Sequence, residues 1–171
     1  ILGSDAQASL SSVAASKMPE SHYADISWQS HWNGSLLSLS LRLTYWAGDI
    51  VSYEVYHYDF ASGRRLTNAQ VLDRFDVSRE DFIAALRCAA AQTYDAVYAP
   101  WGVPELSPDD ENFGPMCIDL ASVRAWTIAE ENYELDNLRF YPEQDGSFTA
   151  FQPVGSLAGA GQCYEELHVQ P

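Results

Sequence analysis

Carboxylates and aromatic rings are the side chains of this sequence with chemistry to offer. Asp49 and Glu54 fall in the strand region that also carries Trp28, Trp32, Trp46 and Tyr56, and Glu130, Glu131 and Glu134 lie near a later hairpin. Two acids at a suitable separation are what glycoside hydrolysis needs, and indole and phenol rings stack on sugar faces. Without catalysis the same types make a binding surface, for which Trp28, Trp32, Trp46, Asp49, Glu54 and Tyr56 are the candidate contacts. Acidic residues number 24 in the chain, so surface charge is the ordinary explanation for any one of them. No residue is therefore assigned a catalytic role.

The other chemistry-bearing residues point away from metals and cofactors. His57 shares a tyrosine-rich stretch with Tyr53, Tyr56 and Tyr58 and has no Asp-His or Cys-His partner nearby, so it reads as a packed strand histidine. Cys88, Cys117 and Cys163 are the 3 cysteines; none forms C-x-x-C or lies near paired histidines, and at most one internal disulfide can form. Cys88 falls inside a helical pattern and is expected to be a small buried hydrophobe. Asp109-Asp110-Glu111, in the proline-broken stretch from Pro100 to Pro115, lacks the residue order of a calcium loop and reads as a solvated tip. The stretch from Gly155 to Gly161 lacks the Lys-Ser/Thr of a phosphate-binding loop. The expectation is no cofactor and no metal.

Charge excludes further classes. With 24 acidic and 9 basic residues the net charge is −15, a field that repels phosphate backbones and anionic headgroups and steers cations inward. Nucleic acid and membrane surfaces are not expected partners, and no apolar run approaches the ~20 residues that span a bilayer. A length of 171 residues with 47% hydrophobic content suits one globular domain with its own core. Residues 1–20, rich in Ala and Ser, read as a flexible lead-in left by removal of an upstream segment, and residues 21–171 as that single domain.

The elements that must position these residues are legible in the alternation. Tyr23 to Trp32 reads as a strand ending at Asn33-Gly34, a hairpin signal in which both turn residues are expected at positive φ. A second strand alternates Leu37, Leu39, Leu41, Leu43 and Tyr45 with Ser38, Ser40, Arg42, Thr44 and Trp46, which predicts a buried leucine face and a wetter hydroxyl face. A turn at Ala47-Gly48-Asp49 leads to a third strand, Ile50 to Phe60. Thr67 with Gln70 forms a capping box for a short helix, and Ser78, with Glu80 and Asp81 behind it, starts a longer one running to about Tyr98. Its stripe of Phe82, Leu86, Ala89 and Thr93, with Ile83, Ala90, Tyr94 and Val97 beside it, is expected to pack on the leucine face. The remainder reads as strands: Cys117 to Leu120, Val123 to Ile128, a hairpin over Asn132 to Tyr141, Ser147 to Phe151 after the turn at Asp145-Gly146, and Cys163 to Val169. The fold class is α+β, an antiparallel sheet with two consecutive helices packed on one face.

The run Tyr58-Asp59-Phe60-Ala61-Ser62-Gly63-Arg64-Arg65-Leu66-Thr67 resembles the Tyr-x-Phe-x-x-x-Gly-x-x-Leu-Thr element of the domain of unknown function at the C-terminus of the anti-sigma factor RsiV, also found with the peptidoglycan deacetylase PdaC. Asn132 to Leu135 and Leu138 to Tyr141 are similar to that family's late hairpin, and Gly155 to Gly161 to its glycine-bearing loop. At the turn where the family carries Gly-Gly-Ala-His-Gly, this chain has Ala47-Gly48-Asp49, so no histidine's role is carried over. The resemblance spans roughly Tyr23 to Val169. It implies an extracytoplasmic domain of the bacterial cell envelope, and in one member a receptor for lysozyme. A strongly basic protein of that kind suits a chain of charge −15. The expected function is non-catalytic binding of a cationic protein or a cell-wall glycan; the alternative is a carboxylate-dependent enzyme acting on glycan or peptidoglycan.

Overall fold

The computed structural model describes residues 23–45, 51–98, 120–155 and 162–171. The chain is α+β. Strands β1 (Tyr23–Asn33), β2 (Leu36–Tyr45), β3 (Val51–Asp59) and β4 (Arg64–Leu66) form one antiparallel sheet in that order, and β5 (Arg139–Pro142), β6 (Phe148–Gly155) and β7 (Gln162–Val169) form a second. Between them lie α1 (Asn68–Arg74), α2 (Arg79–Thr93) extended by a π turn at Tyr94–Tyr98, α3 (Leu120–Thr127), and 3-10 turns at Glu130–Asn132 and Leu135–Asn137. The lead-in 1–20, the turn at Ala47-Gly48-Asp49, the stretch from Pro100 to Pro115, and Cys117 with its disulfide pairing lie outside the described residues, as does most of the glycine-rich stretch.

The first hairpin forms with a different turn from the one expected. Asn33 pairs with Leu36, so the loop residues are Gly34 and Ser35, and only Gly34 has positive φ, at 59°. A positive φ at the first loop position alone is the II′ pattern, which glycine satisfies and which matches the strands' twist. Asn33 keeps extended geometry and donates its side-chain amide to the Glu143 carbonyl at 2.7 Å, tying this turn to the one between β5 and β6.

Alternation along β2 holds, but its second face is wet only toward Arg42, which is exposed, and not at the two serines. Leu37, Leu39, Leu41 and Leu43 are buried as expected, and so are Ser38 and Ser40, at 1% and 6% exposure. The hydroxyl face lies against the second sheet: His31 on β1 stacks on Tyr141 of β5 with centroids 3.6 Å apart, and His57 on β3 packs against Phe140 at 5.8 Å. Buried hydroxyls need partners, and both are within reach of imidazoles, Ser38 Oγ 2.9 Å from His57 Nδ1 and Ser40 Oγ 3.1 Å from His31 Nε2.

Both predicted caps are present. Thr67 and Gln70 complete the capping box of α1, and the Ser78 hydroxyl accepts from the Asp81 amide at 3.0 Å to start α2. The buried residues of α2 are Phe82, Leu86 and Ala90, continued by Tyr94 in the π turn. That stripe meets β6 and β7 rather than the face of Leu37, Leu39, Leu41 and Leu43. Phe82 lies 4.5 Å from Phe140 and 5.3 Å from Phe148, in a core with Leu36, Val71, Leu72, Leu167 and Val169. The Phe140 and Phe148 rings supply the apolar area this stripe buries. Cys88 is on the opposite face of α2 and is exposed, not buried.

Val123 to Ile128 is not a strand. Residues 120–127 are helix α3, and the last carbonyls of the segment are met by side chains from elsewhere: the Asn132 amide donates to Trp126 at 2.6 Å, the Tyr133 hydroxyl to Thr127 at 2.7 Å, and Arg87 Nε to Ile128 at 2.9 Å. Such donors satisfy the unpaired end of a helix. Tyr133 is buried by the arrangement, which pushes its hydroxyl pKa up to about 12. The expected late hairpin is likewise replaced, with 3-10 turns up to Asn137 and only Arg139–Pro142 extended. The Asp145-Gly146 turn forms as predicted, Gly146 at φ 88° and Asp145 Oδ1 accepting from the Ser147 hydroxyl at 2.6 Å.

Helix α3 crosses β6 at Gly155, whose amide donates to Thr127 Oγ1 at 3.0 Å. A Cβ at this glycine would stand 2.4 Å from Val123 Cγ1 and 2.9 Å from Thr127 Oγ1. Gly155→Ala is expected to lower unfolding stability by about 1–3 kcal/mol, the usual cost of overpacking, read as a lower urea midpoint at unchanged slope. An unchanged midpoint would refute the close crossing. Cys88 is expected to react with a maleimide in the native protein as fast as in a short peptide, checked by peptide mapping; protection until denaturant is added would contradict its exposure.

Candidate functional site

A cleft of about 300 Å³ opens between the first half of β3, α3 with the 3-10 turns, and the second sheet. Strand β3 contributes Ser52, Tyr53 and Glu54, α3 contributes Trp126, the turns contribute Glu131, Asn132 and Asn137, and Arg139, Phe151, Gln152 and Tyr164 complete it from β5, β6 and β7. Tyr53 lies flat on Phe151, centroids 4.1 Å apart and planes 4° from parallel, with Tyr164 tilted at 5.8 Å. Glu54 is buried and accepts from Arg139 Nε at 3.0 Å, while Arg139 Nη1 donates to the Asn137 carbonyl at 2.6 Å. Gln152 reaches the Asn132 carbonyl at 3.4 Å, and the Asn137 amide donates to Glu134 at 2.9 Å. Ser52 Oγ is buried with no hydrogen-bond partner among the described residues.

Of the carboxylates weighed from sequence, Glu54 and Glu131 line this cleft and Glu130 and Glu134 do not. The predicted aromatic contacts lie elsewhere. Register puts Trp28 opposite Leu41, Trp32 opposite Leu37, and Leu39 opposite Tyr56, so these rings stand on the leucine side of the first sheet. Trp28 and Trp32 are 66% and 50% exposed there. Trp32 continues into Phe60 at 5.2 Å and Phe60 into Tyr58 at 5.0 Å, and the Arg65 guanidinium lies 4.8 Å over the Tyr56 ring. Trp46 and Asp49 are outside the described residues.

Sequence reasoning missed Tyr53, Trp126, Arg139, Gln152 and Tyr164. Trp126 sits in a run that reads as a strand, and the others are ordinary strand residues whose convergence depends on how two sheets meet. The one available signal was the density of polar groups from Glu130 to Asn137, where all but Tyr133 and Leu135 are polar, since binding groups gather on such connections.

His57 takes no part in the cleft. It is buried, and its pKa is lowered to about 4, first by desolvation and then by the nearby Arg65 charge, with Asn68 acting the other way. Among the described residues no group of three or more His, Cys, Asp or Glu could hold a metal ion, and no helix is long and apolar enough to cross a membrane. Comparison with protein-family models, curated proteins and solved structures gave no match.

The histidine sets a pH dependence. Unfolded, His57 takes a proton near pH 6.5; folded, it resists until about pH 4. Its stability contribution is thus complete above pH 6.5 and is lost as pH falls toward 4, by roughly 3 kcal/mol in all. Urea midpoints of the wild type are expected to drop across that window and those of His57→Gln to drop less. Equal slopes for the two proteins would show that another group is responsible.

Proposed function

We propose that this is a non-catalytic binding domain of the bacterial cell envelope, outside the cytoplasm, that engages a cationic protein through the aromatic face of β1 and β3. The observation that carries this reading is the exposure of Trp28 and Trp32 on one sheet face, continuous with Phe60 and Tyr58, in a chain of charge −15. Large exposed aromatic groups of this kind mark interaction surfaces and supply the anchors of interfaces. The acidic field adds steering of a basic partner over long range. The extracytoplasmic placement, and a basic lysozyme as the first partner to try, come from the resemblance of Tyr58 to Thr67 to the RsiV-type domain. A cell-wall glycan stacking on the same rings is the other ligand within this reading.

The enzyme reading draws on Glu54 and Glu131 lining one cleft. Against it, Glu54 has an oxygen committed to Arg139, which is the arrangement of a structural ion pair. Loss of peptidoglycan-cleaving activity in Glu131→Gln, were the wild type to show any, would favour the enzyme.

Titration with a basic lysozyme is expected to give saturable binding that weakens as salt rises from about 20 to about 150 mM, where the Debye length shortens. Trp28→Ala with Trp32→Ala is expected to weaken binding about tenfold or more, as loss of aromatic anchors does. Absence of binding at both salt concentrations would dispose of lysozyme as the partner, and chitin-oligosaccharide binding lost in the same variant would assign the face to glycan.

A further inference from the structure

We infer that the outer edge of β1 is a strand-pairing site, entered antiparallel by an extended segment of a basic protein with apolar side chains on the tryptophan face and lysines or arginines on the other. The strand order β1-β2-β3-β4 puts β1 at the end of its sheet, and among the described residues no strand pairs with its other side. Asn33 and Leu36 close a two-residue loop, where opposed residues exchange both backbone bonds, and such pairs recur at every second residue. Asp25, Ser27, Gln29 and His31 are thus bonded to β2. Ile26, Trp28, Ser30 and Trp32 turn their N–H and C=O groups outward, a row of donors and acceptors that a further strand would satisfy.

This edge lacks the protection that sheet edges ordinarily carry, which is shortness, proline, charge or a bulge. Strand β4 has 3 residues and includes Arg64 and Arg65, β5 has 4 and ends at Pro142, and β7 carries Glu165 and Glu166. Strand β1 has 11 residues with no proline, lysine or arginine among them, and its register is unbroken from Asp25 to Asn33. Asp25 is its one charged residue, and every residue from Asp25 to Ser30 is exposed.

Side chains on the two faces select the occupant. Directly opposed residues of an antiparallel pair share a face, so the bonded residues of an incoming strand stand beside Ile26, Trp28 and Trp32, all exposed. Its alternate residues stand beside Asp25, Gln29 and His31, on the side of the second sheet, where His31 stacks on Tyr141. That side is acidic. Burial lowers the pKa of His31 and the carboxylates of Glu143 and Glu166 act against it, so both acids lie within electrostatic reach of β1. Asn33 donates to the Glu143 carbonyl at 2.7 Å, which holds that residue against the end of the strand. Apolar residues suit the first row and cations the second. A second copy would instead bring Asp25, Glu143 and Glu166 of two molecules together, each of charge −15, and repulsion opposes that pairing. That the segment comes from a basic protein rests on the function proposed above; the pairing edge rests on the strand's own backbone.

The full chain is titrated by calorimetry with a blocked peptide of alternating valine and lysine, long enough to span Ile26 to Trp32, and with versions methylated at the backbone nitrogen of every valine or of every lysine. Saturable binding of the parent peptide is expected. The lysine-methylated version, whose valine N–H groups still face β1, is expected to keep it, and the valine-methylated version to lose it. Ser30→Pro removes an outward donor without breaking a bond to β2, and is expected to weaken binding about tenfold or more. Glu143→Gln with Glu166→Gln is expected to weaken it about fivefold. The methylated peptides test the pairing in the unaltered protein, whatever Ser30→Pro does to folding. Binding of the valine-methylated peptide, or equal binding when glutamate replaces every lysine, would overturn the inference. Self-association of the chain that Ser30→Pro abolishes would assign the edge to a second copy and overturn it likewise. Peptide binding without lysozyme binding would support the edge while removing the aromatic face's proposed partner; lysozyme binding without peptide binding would do the reverse.

Discussion

The carboxylate of Asp59 is the point on which three separate segments depend. One oxygen accepts from the Ser35 hydroxyl at 2.6 Å in the first hairpin turn and from Arg74 at 3.0 Å at the end of α1, and the other from the Ser62 amide at 3.0 Å in the turn that leads to β4. The Ser35 bond, then those from Ser62 and Arg74, hold its pKa well below the usual carboxylate range, so the group is ionised wherever the protein is folded near neutral pH. The residue's own carbonyl accepts from Gly63, whose φ of 68° reverses the chain. Turn, strand exit and first helix are thereby fixed to one another, and the register of β4 follows.

That anchor explains what the Tyr58 to Thr67 motif specifies. Gly63 supplies the left-handed backbone position, Leu66 pairs across to His57, and Thr67 caps α1. Each of these is a local structural task, so the motif speaks to how the chain turns from sheet to helix. Ligand contacts are a different matter, because the cleft gathers residues from Ser52 to Tyr164 and the outer face joins β1 to β3. Strand β3 serves both surfaces, with Tyr56 and Tyr58 on the leucine side and Tyr53 turned to Phe151.

The features readable in the sequence were those whose cause is local. Gly34, Gly146, the Thr67-Gln70 box and the Ser78 cap all form where a few consecutive residues dictate them. Leucine alternation told which side chains share a face, but not that Ser38 and Ser40 on the opposite face would be buried too. That outcome requires His31, His57, Tyr141 and Phe140 to meet across two sheets. Helix α3 was hidden for a similar reason. Its short run of Val123, Trp126 and Ile128 suits a strand as well as a helix, and the donors that decide the matter come from Arg87, Asn132 and Tyr133. The cleft was out of reach because its position is a property of the seam between sheets.

Gly155 illustrates how such a seam is tuned from outside. Trp126 forms one wall of the cleft, and the helix carrying it sits as close to β6 as it does because residue 155 has no side chain. The width available to a guest is therefore governed by an atom missing from a position that does not touch the guest. Chains sharing this architecture could differ in the size of molecule they admit while keeping every lining residue the same, and a comparison restricted to those residues would find no reason for it.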